Sequence, residues 1–134
     1  MQTEKIKILI VDDSEKWIDF HIFAVKELFG NNVEIETADS AQNGVSKLFL
    51  NINEPYDIIL TDMQMEPDYL PLLAGEWFIK EIQSLKEFKN TKIFIISATS
   101  SIKDIASKYN VDYIPKYSCR YEGSYDKIKS AITK

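Results

Sequence analysis

The feature that most constrains the fold is an alternation of short runs rich in β-branched residues with longer stretches whose apolar residues recur at helical spacing. Five such units follow one another along the chain. This alternation is typical of βαβ units and predicts an α/β fold, a doubly wound five-stranded parallel sheet with helices on both faces. The predicted strands are Ile6–Val11, Val33–Ala38, Asp57–Thr61, Thr91–Ile96 and Asp112–Pro115.

Capping residues and apolar spacing predict five helices between and after these strands. Ser14 can cap the first helix and Gly30 can end it, while Ser40 can cap the second. Gly75 leads into the third helix. The fourth is a short amphipathic helix, and the last closes the chain. Their predicted residues are Ile102, Ile105, Ala106 and Tyr109 for the fourth, and Tyr125 to Ile132 for the last.

Composition excludes several classes of protein. A chain of 134 residues matches one domain, so we expect residues 1–134 to be a single domain with no output domain. The formal charge of -5 argues against a nucleic-acid-binding surface. No apolar run approaches the ~20 residues that span a bilayer, so we expect no membrane partner. One cysteine and no signal-peptide pattern indicate a reducing, cytoplasmic location.

Polar residues follow most of the predicted strands. The first ends in Asp12 and Asp13, the third in Asp62, the fourth in Ser97 and the fifth in Lys116. Each alone could be a helix cap, a turn residue or a surface charge. In open α/β sheets, however, ligands bind outside the carboxyl ends of the strands. We therefore expect these side chains to converge on one edge of the sheet.

Three carboxylates gathered at that edge would repel one another unless a cation holds them. A site built from carboxylates, with no Cys or His, favours a hard divalent ion such as Mg²⁺. Lys116 and Ser97 are suited to phosphate oxygens, as an ammonium point charge and a hydroxyl donor. The chemistry that this set suggests is phosphoryl transfer onto Asp62, assisted by positioning and charge neutralisation.

These residues resemble the motifs of receiver domains of two-component response regulators, over essentially the whole chain. The family's acidic pair is matched by Asp12 and Asp13, and its phosphoacceptor by Asp62. The other matching positions are Gly75 at the third helix, Ser97-Ala98 for the hydroxyl and small residue, Tyr113 for the switch aromatic and Lys116 for the lysine. The resemblance implies a flavodoxin-like (β/α)5 receiver fold.

The resemblance also implies a function. Mg²⁺ would be bound by Asp13, Asp62 and the backbone carbonyl of Gln64, with Asp12 acting through water. The phosphoryl donor would be a phosphohistidine on a sensor histidine kinase or phosphotransfer protein. Phosphorylation would recruit Ser97 and Lys116, turn Tyr113 inward, and remodel a surface for a downstream protein. The chain would then be a signalling switch and not an enzyme. The alternative for Tyr113 is simple packing at a sheet edge.

Two departures from the family pattern bear on the site. Gly75 follows Asp62 by 13 positions, so the intervening loop is about five residues longer than usual. Its leucines either pack over the third or fourth helix or form a lid beside the pocket that slows phosphate loss; they are Leu70, Leu72 and Leu73. In addition, Tyr117 stands where the family has a proline after the lysine, which puts the reach of Lys116 in question.

Other readings of the same residues remain open. A degenerate receiver could act as a phosphorylation-independent binding module. A haloacid-dehalogenase-type phosphatase would need an acid two positions after Asp62, where Gln64 stands. His21 is expected on the surface of the first helix. The cluster near the C-terminus is expected to be a solvated face and not a nucleic-acid site; it comprises Tyr117, Arg120, Tyr121 and Tyr125.

Overall fold

The computed structural model describes residues 5–65 and 73–132. It contains a single five-stranded parallel sheet in the order β2-β1-β3-β4-β5. The strands are β1 (Ile6–Val11), β2 (Val33–Ala38), β3 (Ile58–Thr61), β4 (Lys92–Ser97) and β5 (Asp112–Pro115). The predicted fold class is therefore confirmed, and each strand boundary lies within one residue of its prediction.

Five helices connect and follow the strands. They are α1 (Glu15–Phe29), α2 (Ala41–Leu50), α3 (Ala74–Ser84), α4 (Ile102–Tyr109) and α5 (Asp126–Ile132), with short 3-10 turns at Lys86–Phe88 and Lys116–Ser118. The predicted caps are present: Ser14 Oγ accepts from the Trp17 amide, and Ser40 Oγ accepts from the Asn43 amide. Gly30 ends α1 with φ 62°, a left-handed conformation that favours glycine.

The core has two layers because side chains alternate across each strand. Leu9 and Ile59 pack against one set of helices, which includes Phe78 of α3 and Ile105 of α4. Ile8 and Ile10 pack on the opposite face, with Val25 of α1 and Ile128 of α5. The strands β1 and β3 are buried on both faces, which explains their nearly continuous aliphatic sequences.

The winding direction of the sheet reverses beside β1. The chain passes from β1 outward to β2, then crosses to β3 on the other side of β1 and continues to β4 and β5. The carboxyl ends of β1 and β3 therefore flank the switch point, where open α/β sheets bind ligands. Asp12 and Asp62 follow these two strands directly.

The long segment after β3 lies partly outside the described residues. Leu70 and Leu72, for which packing or a lid was predicted, fall in the segment 66–72 that the structure does not describe. Leu73 precedes α3 and packs against the core layer of α2, α3 and α4. Among the described residues, no helix has the length and apolar character needed to cross a membrane.

Candidate functional site

The end of β1 places two carboxylates side by side in different environments. Asp12 is 1% exposed, and its Oδ1 accepts from the Ser14 amide at 2.9 Å. This bond joins the end of β1 to the first turn of α1. Asp13 is exposed. One carboxylate of the pair is therefore fixed inside the pocket, and the other stays accessible to solvent and ions.

Asp62 follows β3 and is held by two hydrogen bonds to its carboxylate. The Met63 amide donates to Oδ1 at 2.6 Å, and Lys116 Nζ donates to Oδ2 at 2.9 Å. The Asp62 amide donates to the carbonyl of Val11 at 3.0 Å, which ties the residue to the end of β1. The residue is 6% exposed. The two hydrogen bonds therefore orient the Asp62 carboxylate, and a small part of the residue remains exposed to solvent.

Lys116 reaches both buried carboxylates despite lacking the usual proline after it. Its Nζ lies 3.0 Å from Asp12 Oδ2 as well as 2.9 Å from Asp62 Oδ2. The residue begins a 3-10 turn that is fastened by a hydrogen bond from Ser118 Oγ to the Pro115 carbonyl at 2.9 Å. This turn directs the side chain into the pocket. The question raised by Tyr117 at the next position is thereby answered.

The pocket perturbs two of its ionisable groups. Burial disfavours the charge of Lys116, but the hydrogen bond and ion pair with Asp62, together with Asp12, outweigh it and raise the pKa of the lysine. Burial is the main cause that raises the pKa of Asp12, and the neighbouring Asp62 acts in the same direction. The Ser14 amide and Lys116 partly oppose that shift. Keeping the Asp12 carboxylate ionised in this pocket therefore costs free energy.

The acidic residues predicted to bind metal do lie together. One carboxylate oxygen from each of Asp12, Asp13 and Asp62 lies within 4.8 Å of the other two. When ionised, the three carboxylates carry three negative charges, and Lys116 neutralises one of them. One divalent cation would neutralise the remaining two. Oxygen donors at this spacing suit Mg²⁺. Gln64, whose backbone carbonyl is also a predicted ligand, is an exposed residue between buried Met63 and Met65.

Ser97 is the last residue of β4, whereas Tyr113 is the second residue of β5 and lies two residues before its carboxyl end. Ser97 is 1% exposed at the end of β4, and its Oγ accepts from the Thr99 amide at 3.2 Å. Tyr113 in β5 is half-buried against the α2–α3–α4 side of the core. Lys127 Nζ lies 5.2 Å from the centre of the Tyr113 ring. The predicted roles of both residues, as phosphate donor and switch, stay predictions.

Gly75 explains how α3 begins beside Asp62. Its amide donates to the Met63 carbonyl at 2.8 Å. A Cβ at this position would overlap the backbone oxygen of Asp62 and lie 2.6 Å from the Cα of Met63. Only glycine permits this approach without moving the backbone that carries the Asp62 carboxylate. Because this hydrogen bond joins Met63 to Gly75, the residues on either side of the long segment lie next to each other.

The surface position predicted for His21 is wrong, as is the solvated position predicted for Tyr125. His21 is 2% and Tyr125 5% exposed, and His21 Nδ1 lies 2.6 Å from the Tyr125 hydroxyl. Helical spacing could have predicted the burial of His21, because it lies four residues from both Trp17 and Val25 and so shares the inward face of α1 with them. Tyr117 and Tyr121 are exposed, as predicted.

Comparison with solved structures places this fold among receiver domains. The chemotaxis response regulator CheY4 of Vibrio cholerae matches with a TM-score of 0.71 and 19% identity, over 96% of this chain and 99% of that chain. The chain has the receiver fold. The receiver domain of the histidine kinase CKI1 from Arabidopsis thaliana, a D1050A mutant, gives a TM-score of 0.72 at 17% identity, over 95% and 91% of the two chains.

A third receiver structure extends this comparison. The phosphorylated cyanobacterial phytochrome response regulator RcpA matches with a TM-score of 0.66 and 19% identity, over 96% of this chain and 89% of that chain. No protein-family model matches the sequence, and no curated protein matches it. The receiver fold is therefore evident in three dimensions at a sequence identity too low to assign function by itself.

Proposed function

We propose that this chain is a phosphorylation switch in which Asp62 accepts a phosphoryl group from a phosphohistidine donor. The observation that carries the proposal is the position of Lys116 Nζ, within 3.0 Å of carboxylate oxygens on both Asp12 and Asp62, beside exposed Asp13. A buried, cation-bridged carboxylate at a switch point suits attack on phosphorus. RcpA, with the same fold, was solved in its phosphorylated form.

The proposed transfer needs little covalent chemistry from the protein. The Asp62 carboxylate attacks as an anion, so no proton has to be removed from it. The bond from phosphorus to the donor imidazole breaks as the bond from phosphorus to an Asp62 oxygen forms, and the imidazole leaves with the electron pair of the broken bond. The ammonium group of Lys116 is placed to stabilise the negative charge on the phosphoryl oxygens. Ser97 is the proposed second donor.

Mg²⁺ fits the acidic cluster by charge and ligand type. Asp13, Asp62 and the Gln64 carbonyl would bind it, and Asp12 would act through water. When bound, the ion would supply charge neutralisation at the phosphoryl oxygens. The proposed donor is a sensor histidine kinase or a phosphotransfer protein, and the proposed output is binding of a downstream protein through the surface around Tyr113. We propose a cytoplasmic location from the single cysteine.

The test is intact mass after incubation with acetyl phosphate and Mg²⁺. We expect one phosphoryl adduct that disappears with EDTA and in the Asp62→Asn variant. Asp57→Asn is the matched control, because Asp57 lies at the opposite end of β3 and should leave the adduct intact. No adduct on the folded wild-type chain would favour the alternative, a binding module that works without phosphorylation.

A further inference from the structure

The buried pair of His21 and Tyr125 lies directly behind the acidic cluster. His21 Nε2 is 3.9 Å from Asp12 Oδ2, and the other ring nitrogen is 2.6 Å from the Tyr125 hydroxyl. The contact connects three elements, since His21 belongs to α1, Tyr125 immediately precedes α5, and Asp12 follows β1. The imidazole therefore stands between the last helix and the pocket.

Asp12 Oδ2 lacks a hydrogen bond of the kind that Asp12 Oδ1 and both carboxylate oxygens of Asp62 have. Oδ1 of the same group is bonded to the Ser14 amide, but Oδ2 is buried without a hydrogen-bond donor in the described part of the chain. Lys116 Nζ approaches it at 3.0 Å as an ion pair, and its hydrogen bond goes to Asp62. The ammonium of Lys116 is therefore the main partner of this buried oxygen, and losing it would leave the oxygen without a close partner, which is costly. His21 Nε2, at 3.9 Å, is a second nitrogen close to the same oxygen.

The surroundings of the imidazole determine its protonation. Burial, reinforced by the nearby charge of Lys116, lowers the pKa of His21 to about 3 and so favours the neutral ring. A neutral imidazole carries one N–H. Placing that hydrogen on Nε2 aims it at the Asp12 carboxylate, which only accepts when ionised, and leaves Nδ1 to accept from the Tyr125 hydroxyl. The opposite tautomer would set a lone pair against the carboxylate.

We propose that His21 is a positioning residue for Asp12, and that its Nε2–H becomes the hydrogen-bond partner of Oδ2 when Lys116 turns toward a phosphoryl group on Asp62. This inference rests on the proposed function. When Lys116 turns to the phosphoryl oxygens, Asp12 Oδ2 loses the ion pair that it makes at 3.0 Å, and the proposed Mg²⁺ would reach Asp12 only through water. A shift of about 1 Å brings Nε2 from 3.9 Å into hydrogen-bond range.

The Tyr125 hydroxyl is the second part of this arrangement. In the Nε2–H tautomer the Tyr125 hydroxyl donates to Nδ1, and this bond holds both the tautomer and the ring plane of His21. The Trp17 ring, one turn earlier on α1, lies 5.5 Å from the imidazole between ring centres. Lys116 Nζ lies 4.9 Å from the centre of that Trp17 ring. The lysine that moves and the histidine that replaces it thus share one aromatic neighbour.

Imidazole ¹⁵N NMR tests the proposal directly, because His21 is the chain's single histidine and an untagged protein gives one set of ring signals. We expect the Nε2–H tautomer at neutral pH, and a downfield shift of that proton after acetyl phosphate and Mg²⁺ are added. The Nδ1–H tautomer, or an Nε2–H signal that stays unchanged while the phosphoryl adduct forms, would overturn it.

Two substitutions at position 21 separate positioning from packing. His21→Leu removes the donor, and we expect phosphorylation by acetyl phosphate to slow about tenfold, the range of one hydrogen bond to a charged group. His21→Gln keeps an N–H near the position of Nε2 and should restore most of the rate. Equal rates in both variants would contradict the proposal. Absence of the adduct in the wild-type chain would instead count against the proposed function.

Discussion

Replacing Lys116 by methionine tests the electrostatic basis of the site. The lysine side chain is 11% exposed, and its carboxylate partners on Asp12 and Asp62 are 1% and 7% exposed. Removing one member of a buried ion pair costs about 3–5 kcal/mol, because the remaining charge is left uncompensated. Since the adjoining Asp13 is exposed and admits water, we take the lower end, about 3 kcal/mol. That corresponds to a fall of about 10 °C in Tm.

Magnesium should restore much of this stability. Without the ammonium, the three carboxylates of the site lack a counter-charge, so a divalent cation binds them without competition. Mg²⁺ at about a hundred times its dissociation constant stabilises the folded state by about 2.7 kcal/mol. We therefore expect the unfolding free energy of Lys116→Met in urea to be low in EDTA and to recover most of its loss in Mg²⁺.

Lys108→Met is the matched control for this experiment. Lys108 Nζ lies 2.9 Å from Glu76 Oε2, a distance like that of Lys116 to Asp62, but its side chain is 60% exposed. Solvent screening makes such an exposed pair contribute far less to stability than a buried one, and no acidic cluster adjoins it among the described residues. A Lys116→Met protein as stable as wild type in EDTA, or one that Mg²⁺ fails to stabilise, would refute the reasoning.

Three further predictions follow from the same geometry. Gly75→Ala should cost about 3 kcal/mol in urea unfolding because its Cβ meets backbone, whereas Gly44→Ala should cost about 1 kcal/mol or less because only the movable Phe78 ring opposes it. Ser97→Ala should slow acetyl phosphate labelling about tenfold with little change in Tm, if its hydroxyl bonds the phosphoryl group; an unchanged labelling rate would remove Ser97 from the site. Below pH 6.5 the unfolded state takes up a proton that folded His21, with its pKa lowered to about 3 mainly by burial, does not. Stability should thus fall by up to about 1.4 kcal/mol per pH unit down to pH 3, and a His21→Phe protein with an equally steep decline would contradict this.

Most of the fold could be predicted because its elements carry local patterns. The aliphatic runs of β1 and β4 and the serine caps of α1 and α2 can be recognised in the sequence without knowing which residues they contact in the fold. The convergence of Asp12, Asp62 and Lys116 followed from a property of parallel sheets, whose carboxyl ends lie on one edge.

What the sequence could not provide was the balance of forces between distant residues. The repulsion among the carboxylates indicated a cation, yet it could not show that Lys116 already bridges two of them. The reach of that lysine depends on a 3-10 turn held by Ser118, which no motif predicts. The partnership of His21 and Tyr125 joins positions 104 residues apart and depends on how α1 and α5 pack.

The most direct measurement of the central claim is to locate the phosphoryl group chemically. Borohydride reduces an acyl phosphate to an alcohol, so an aspartate that carries the phosphoryl group becomes homoserine and its peptide changes mass. After treatment with acetyl phosphate and Mg²⁺, we predict homoserine at position 62, and none there in EDTA. Homoserine at Asp12, Asp13 or another aspartate, or an unmodified position 62 in the folded protein, would contradict the account.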